Sequence, residues 1–181
     1  MRPLLFAALA FALAVPASAA LAPGARAPDF TAQGAIAGNP VTVSLKAALK
    51  KGPLVLYFFP AAFTSGCNAE AAAFAEALPD FTAAGATVIG MTAGNVDQLA
   101  KFSSAHCAGK FAVAAATPAV IKGYDVVRMA DGKPSNLTSR TSFVIAPNGK
   151  ILSVHADIGP VEHIRLTLAE VRKYRKAHKR G

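Results

Sequence analysis

A continuous apolar run covers residues 54–59, and two further apolar segments lie at 87–91 and 111–115. Runs of this kind are typical of strands that are covered on both faces, because neither row of side chains then meets water. The segments between the runs are long enough to hold one helix each. The pattern therefore predicts three central strands of one sheet, separated by helices.

Each of these intervening segments has a helix signal of its own. An Ala-rich stretch starts at Cys67, and we expect it to bend or end near Pro79, because proline lacks the N–H of the helical ladder. Asn95 is predicted to cap a second helix that runs toward Cys107. Thr117 is predicted to cap a third, which has proline at its first position.

The segments on the amino-terminal side are less regular, as is one loop later in the chain. Residues 34–40 are expected to separate a short extended segment from another at 41–43, and Ser44 to cap a helix of one to two turns that ends at 51–53. Residues 129–138 are predicted to form a loop.

The carboxyl-terminal part reads as a hairpin and a helix. Two segments, 140–146 and 150–155, are joined by the turn 147–149, and Pro160 opens a helix with an apolar stripe. Strands that alternate with helices and end in a hairpin and a helix predict an α/β sandwich, with a mixed central sheet flanked by helices.

The first 19 residues have the composition of a secretory signal peptide. Arg2 supplies the positive charge, residues 4–15 form the apolar core, and Ala17-Ser18-Ala19 is a small-residue cleavage site. The apolar core is shorter than the roughly 20 residues of a membrane-spanning helix. We therefore expect cleavage near Ala19, a periplasmic or secreted protein, and one domain over residues 20–181.

The net charge of +9 raises the question of an acidic partner. Much of the charge lies in the carboxyl-terminal helix, at Arg172, Lys173, Arg175, Lys176, Lys179 and Arg180. Cations at a helix C-terminus favour the helix dipole and keep a surface solvated. Because no nucleic-acid-binding motif accompanies them, we expect no nucleic-acid partner, while weak attraction to anionic lipid or cell-wall polymer stays open.

Cys67 is the main chemical candidate. It lies just past an apolar strand and at the start of a helix, where free backbone N–H groups and the helix dipole favour a thiolate. A thiolate is a nucleophile. Free cysteine is also among the residues most often buried as a small apolar side chain, and the thiol by itself leaves both interpretations open.

The surrounding residues add a specific resemblance. Pro60, Thr64 and Cys67 have the spacing Pro-x-x-x-Thr-x-x-Cys, Glu70 follows three residues later, and related motifs lie at 27–30 and 140–145. This order resembles the peroxiredoxins, and the Q-type, bacterioferritin comigratory protein-like branch in particular, from about residue 25 to about 156. The resemblance implies a thioredoxin-like fold and a thiol peroxidase without a cofactor.

The resemblance also implies a role for each of these residues. Cys67 would be the peroxidatic cysteine, which attacks the peroxide and becomes a sulfenic acid. Arg140 would stabilise the thiolate and the departing oxygen, and the Thr64 hydroxyl would accept a peroxide proton or donate to the thiolate. Pro60 would shield the thiolate, and Glu70 would hold Arg140 or nearby backbone.

Cys107 is the only other cysteine, and three interpretations of it stay open. It can resolve the sulfenic acid as a disulfide, since some Q-type members have a resolving cysteine near this place, while the alternative position five residues after Cys67 is Ala72. It can be inert, with an external thiol as resolvent. It can also form a static disulfide with Cys67 in a binding module that is not an enzyme.

Other functional classes fit less well. A thioredoxin-type disulfide reductase would need Cys-x-x-Cys, whereas the chain has Thr64-Ser65-Gly66-Cys67. The histidines have no metal-ligand spacing, so we expect no metal. The expected partners are a peroxide and a thioredoxin-like reductant, and the expected state is a monomer or weak homodimer.

Overall fold

The computed structural model describes residues 20–178. The predicted signal peptide and the last three residues, including Lys179 and Arg180, lie outside this range. The described strands are β1 (Thr31–Ile36), β2 (Asn39–Ser44), β3 (Leu54–Phe58), β4 (Thr87–Thr92), β5 (Ala112–Ala115), β6 (Val127–Ala130), β7 (Lys133–Thr138), β8 (Thr141–Ile145) and β9 (Ile151–Ala156). The described helices are α1 (Leu45–Leu49), α2 (Ser65–Ala83), α3 (Leu99–Ala105), α4 (Pro118–Tyr124) and α5 (Val161–His178).

Seven of the strands form one mixed sheet in the order β2-β1-β5-β4-β3-β8-β9. The three predicted central strands, β3, β4 and β5, pair in parallel, and the neighbours on both sides pair antiparallel. The parallel pairs are joined through helices, as parallel strands require. The predicted mixed sheet with flanking helices is confirmed.

Strand β3 separates two apolar cores. Leu54, Leu56 and Phe58 face one core together with α1 and α4, whereas Val55 and Tyr57 face the other. The second core also contains buried residues of α2, α3 and α5. Every residue of β3 is buried, which explains why the run has no polar interruption.

Helix α2 was predicted to bend or end near Pro79; it does not end there and continues to Ala83. Pro79 has no N–H for the carbonyl oxygen of Ala75 four residues earlier. The ammonium group of Lys110 donates to that oxygen at 3.0 Å. A long-range partner therefore replaces the missing helical hydrogen bond.

Two hairpins replace segments that the sequence predicted to be irregular. Two extended segments are separated in this region as predicted, but only Ala37-Gly38 lies between them, and the rest of 34–40 belongs to the paired strands β1 and β2. Residues 129–138 are not a loop, because β6 and β7 pair through Asp131-Gly132. Both turns have positive φ at both central residues, as two-residue hairpin turns require.

Of the predicted caps, those of Ser44 and Thr117 are confirmed. Each hydroxyl accepts from the backbone N–H three residues later, at 3.2 and 3.3 Å. The hairpin β8–β9 and helix α5 also lie where the pattern predicted them. Within residues 20–178, no helix is both long and apolar enough to cross a bilayer.

Part of the basic charge of α5 is engaged by α2. Arg172 forms an ion pair with Asp80 at 3.3 Å, and Arg175 donates to the carbonyl oxygen of Ala83. The last carbonyls of a helix lack intrahelical donors and carry the negative end of its dipole. These two arginines therefore stabilise the carboxyl end of the helix that carries Cys67.

Candidate active site

Cys67 lies in the first turn of α2 and is almost fully buried. Thr64 is at the N-cap position, but its side chain makes no capping bond, and its hydroxyl donates to the carbonyl oxygen of Ala61 at 3.1 Å. The first turn contains no acidic residue. No side chain of that turn therefore competes with an anionic sulfur for the positive end of the helix.

Arg140 contacts the sulfur directly. Its Nη2 donates to Sγ of Cys67 at 3.5 Å, its Nη1 donates to Oε2 of Glu70, and its Nε donates to the carbonyl oxygen of Ile158 at 2.9 Å. Three partners in three directions fix the plane of the guanidinium. Gly66 permits this approach, since a Cβ there would lie 3.1 Å from Nη2.

Glu70 is completely buried and links Arg140 to the interior. Burial raises the pKa of this carboxyl to about 8, although Arg140 acts in the opposite direction. Desolvation disfavours the charged form, and only one of the two carboxylate oxygens is paired. The predicted grouping of Cys67, Glu70 and Arg140 is thus present in the structure, with Arg140 in the middle.

The loop that leads to Cys67 is held by the last residue of β4 and by the segment that follows this strand. The hydroxyl of Thr92 donates to the carbonyl oxygen of Pro60 at 3.0 Å and accepts from the N–H of Gly94 at 3.1 Å. The side-chain amide of Asn95 donates to the carbonyl oxygen of Ala62 at 2.8 Å. The sequence signal for these contacts is the pair of polar residues Thr92 and Asn95 at the carboxyl end of β4 and just after it, and the contacts were not predicted.

Asn95 is therefore not the side-chain cap that the sequence predicted. It has a left-handed backbone, with φ of 55°, and its side chain makes no capping bond. The helix that leads to Cys107 begins only at Leu99, after a single 3₁₀ turn at Val96–Gln98. Asparagine tolerates the left-handed region, which turns its amide toward the active-site loop.

Cys107 lies just after α3 and is completely buried. It belongs to the same apolar cluster as Cys67, and both thiols are free in this structure. Burial raises the pKa of the Cys107 thiol to about 12. The segment around it must therefore open before Cys107 can act as a thiolate nucleophile.

Aromatic rings connect the loop of Cys67 to the helix before Cys107. Phe63 has a left-handed backbone, with φ of 61°, and packs edge-on against Phe102 and His106 at centroid distances of 5.5 and 5.3 Å. A bulky residue adopts this φ only where its surroundings hold it. His106 is half-buried in this cluster.

Two more residues, His163 and Ser142, lie near Glu70 and were not predicted to belong to the site. His163 on α5 is completely buried, with Nδ1 at 3.8 Å from Oε1 of Glu70 and 2.8 Å from Oγ of Ser142. Burial lowers the pKa of His163 to about 4. Among residues 20–178 no group of three His, Cys, Asp or Glu side chains could hold a metal ion.

Comparisons with known proteins agree with this geometry. The family model described as the AhpC/TSA family matches residues 23–154. Peroxiredoxin Q, a chloroplast protein of Sedum lineare, is 32% identical over 152 residues, which cover 80% of this chain and 75% of that protein. Peroxiredoxin Bcp of Xanthomonas campestris is 26% identical over 125 residues, or 68% and 78% of the two chains.

A solved structure gives the same result for the fold. The crystal structure of peroxidoxin BcpB from Mycobacterium tuberculosis matches with a TM-score of 0.74 and 28% identity, and covers 84% of this chain and 97% of that one. The expected thioredoxin-like peroxiredoxin fold is thereby confirmed. The chain therefore belongs to the AhpC/TSA family, and it is a thiol-dependent peroxidase of the peroxiredoxin type with relatives among the Bcp and Q-type proteins.

Proposed function

We propose that Cys67 is the peroxidatic cysteine and reduces hydrogen peroxide and small organic hydroperoxides. The observation that carries this assignment is the contact between Sγ of Cys67 and Nη2 of Arg140 at 3.5 Å, with Arg140 also bound to Glu70. A guanidinium held in this way stabilises negative charge on the sulfur and on the oxygen that leaves. The position in the first turn of α2 favours the same charge.

In the proposed step, the Cys67 thiolate attacks the terminal oxygen of the hydroperoxide. A sulfur–oxygen bond forms, the oxygen–oxygen bond breaks, and the leaving alkoxide or hydroxide takes up one proton to give alcohol or water. Cys67 is oxidised to a sulfenic acid and the peroxide is reduced by two electrons. No cofactor is needed, since the sulfur supplies both electrons.

Thr64 and Pro60 are proposed to shape the place where the peroxide binds. The Thr64 hydroxyl uses its hydrogen for the carbonyl oxygen of Ala61, so its oxygen remains able to accept the peroxide proton. Pro60 has no N–H to offer, and its carbonyl oxygen is engaged by Thr92. Both features support acceptance of a proton by Thr64 and shielding of the thiolate by Pro60.

We propose that Cys107 resolves the sulfenic acid. Its sulfur would bond to that of Cys67 with release of water, and a thioredoxin-like dithiol would reduce the disulfide and become a disulfide itself. Both sulfurs are buried, so the first turn of α2 and the segment after α3 have to open first. Ala108 and Gly109, both at positive φ, follow Cys107 directly and give that segment an irregular backbone that can rearrange.

The products of one treatment with peroxide separate this cycle from its alternatives. Reduced protein is treated with one equivalent of hydrogen peroxide, and intact mass and peptide maps are recorded. A loss of two hydrogens with a Cys67–Cys107 linkage that thioredoxin reverses supports the cycle. Added oxygen on Cys67 alone, with unchanged turnover in Cys107→Ser, supports a one-cysteine enzyme with an external thiol.

The same experiment tests the assignment of Cys67. Cys67→Ser should consume no peroxide, whereas Cys107→Ser should still complete one turnover and then stop with thioredoxin as donor. Thr64→Val should slow that turnover without abolishing it. Peroxide consumption by Cys67→Ser at the wild-type rate would refute the assignment, and a linkage that thioredoxin does not reduce would favour a static disulfide.

We also propose that the protein is exported. The support is the pattern of residues 1–19, with one positive charge, an apolar core and Ala17-Ser18-Ala19. Expression of the full chain in a bacterium with two membranes should give a periplasmic protein whose mass begins after Ala19. Recovery of the full-length mass from the cytoplasm would contradict export and would leave the peroxidase unaffected.

A further inference from the structure

One oxygen of Glu70 is not used by any contact of the proposed reaction. Oε2 accepts from Arg140, whereas Oε1 is buried without a hydrogen-bond partner. A buried carboxylate oxygen without a partner is unfavourable unless a proton removes the charge. Nδ1 of His163 lies 3.8 Å from Oε1.

The partners of His163 determine which ring nitrogen carries its hydrogen. Nε2 lies 3.0 Å from the carbonyl oxygen of Asp157, which can only accept, so Nε2 is the donor. Nδ1 of the neutral ring then has one lone pair, which accepts from the hydroxyl of Ser142 at 2.8 Å. The same lone pair faces Oε1 of Glu70.

Glu70 and His163 therefore present two acceptors to each other inside the protein. A single proton on Oε1 removes the charge of the carboxylate and can share the Nδ1 lone pair with the Ser142 hydroxyl, and closing the gap by about 0.8 Å would give an ordinary hydrogen bond. The pKa values have the matching directions, since burial raises that of Glu70 to about 8 and lowers that of His163 to about 4. At neutral pH the pair holds one proton, on Glu70, and is uncharged.

We propose that His163 and Ser142 are positioning residues for Arg140. They place Nδ1 of His163 as an acceptor that keeps a proton on Glu70, so that the charge of the guanidinium stabilises the Cys67 thiolate. This inference rests on the proposed role of Cys67. When the proton leaves, Glu70 becomes a full counter-ion of Arg140. Less of the guanidinium charge then stabilises the thiolate and the departing oxygen, and the reaction slows on the alkaline side.

Several other groups face the pair and contribute to the same electrostatic balance. They are Cys67 from α2, Tyr57 from β3, Arg140 from the link between β7 and β8, His155 from β9, and Asp157 from the loop after β9. The ring of His155 lies 4.6 Å from that of His163, and its buried Nε2 has no partner. Since none of these groups donates a hydrogen bond to Oε1 of Glu70, they do not replace the proton.

Two substitutions of His163 separate the acceptor from the packing role. Asparagine can place its side-chain oxygen near the position of Nδ1 and keeps the acceptor. Glutamine can place its amide N–H near the position of Nε2 and keeps only the bond to Asp157. The readout is the second-order rate constant for hydrogen peroxide from pH 5 to 10, in single turnover, with folding checked by circular dichroism.

The inference predicts that His163→Gln moves the alkaline fall of the rate constant down by about one pH unit, as loss of one hydrogen bond to the protonated carboxyl would. His163→Asn should stay close to the wild type. Better tolerance of glutamine than of asparagine, or the same alkaline limb in all three proteins, would overturn the inference. ¹⁵N spectra of the wild type at pH 6 should find His163 neutral with its hydrogen on Nε2, and a doubly protonated ring would also overturn it.

Glu70→Gln keeps the inference testable if either His163 variant fails to fold. Glutamine is an uncharged isostere, so the alkaline limb should disappear, whatever the rate at lower pH. Glu162→Gln makes the same substitution at an exposed position next to His163 and should leave the limb unchanged. A persistent limb in Glu70→Gln would refute the pair as its origin, whereas failure of Cys67 itself would be seen as no peroxide reduction in any of these proteins.

Discussion

Thr92→Val tests whether the carboxyl end of β4 holds the loop that leads to Cys67. The side chain is completely buried, and its hydroxyl bridges the carbonyl oxygen of Pro60 and the N–H of Gly94. Valine has nearly the same shape but can neither donate nor accept. Leaving the buried Gly94 N–H unpaired costs about 1–3 kcal/mol, and the Pro60 carbonyl adds up to about 1 kcal/mol. We therefore expect a loss of about 2–3 kcal/mol in the free energy of unfolding.

Thr87 provides a matched control on the same strand. Its hydroxyl oxygen is also buried, but it has no hydrogen-bond partner. Thr87→Val removes an unsatisfied polar group and leaves none behind, so we expect a change within about 0.5 kcal/mol or a small gain in stability. The two substitutions are chemically identical, and only the partners of the hydroxyl differ.

Urea denaturation of both variants measures the difference, with the slope on denaturant compared to confirm that the unfolded states are alike. The rate constant of Cys67 with hydrogen peroxide should fall in Thr92→Val and not in Thr87→Val, because only Thr92 binds the carbonyl of Pro60, which is proposed to shield the thiolate. Equal losses of stability at the two positions would refute the reasoning. So would a destabilised Thr92→Val protein whose first turnover is as fast as that of the wild type.

Three further predictions concern Arg140, Lys110 and Glu70. Arg140→Lys should slow the first turnover by about 100-fold, because an ammonium group cannot contact Cys67, Glu70 and a carbonyl oxygen at once. A rate within a factor of three of the wild type would contradict the proposed role of Arg140 in stabilising the thiolate and the departing oxygen. Lys110→Met should reduce the free energy of unfolding by about 1–2 kcal/mol in urea titrations, because the Ala75 carbonyl freed by proline loses its donor. The free energy of unfolding should fall between pH 6.5 and 8 by about 1 kcal/mol per pH unit, because Glu70 in the folded protein keeps a proton that the unfolded chain releases. Glu70→Gln should remove this slope.

The window of that pH effect follows from the opposite shifts of Glu70 and His163. Below pH 6.5 the unfolded chain binds a proton on His163 that the folded protein does not, and this offsets the proton on Glu70. Between about pH 4.5 and 6.5 the pair therefore contributes almost no slope. Above pH 6.5 only the Glu70 contribution remains, and stability decreases as pH rises.

The parts of the site that the sequence predicted are those that depend on local order along the chain. Cys67 and Glu70 lie three residues apart on α2, so their common face follows from helix geometry. The coverage of β3 on both faces was readable from its uninterrupted apolar run. The hairpin β6–β7 was not predicted, although its signal is also local, since Asp131-Gly132 is a typical two-residue hairpin turn.

The parts that the sequence did not predict depend on strand register. Tyr57 on β3 pairs with Ser142 on β8, and Ser142 pairs with His155 on β9, which brings these side chains to one row of the sheet. Helix α5 then adds His163 above that row. No local pattern contains this order of neighbours, because a shift of one residue would move every side chain to the opposite face.

The two ends of α2 differ in how firmly they are held, and this bears on where the site can open. At the carboxyl end, Arg172 and Arg175 of α5 bind Asp80 and the Ala83 carbonyl. At the amino end Thr64 makes no side-chain cap, and the second residue is a glycine, which has the lowest helix propensity after proline. The contact of Arg140 with Cys67 is one restraint there, and the proposed oxidation of the sulfur would alter it. Opening after oxidation should therefore begin at the first turn of α2 and leave the rest of the helix folded.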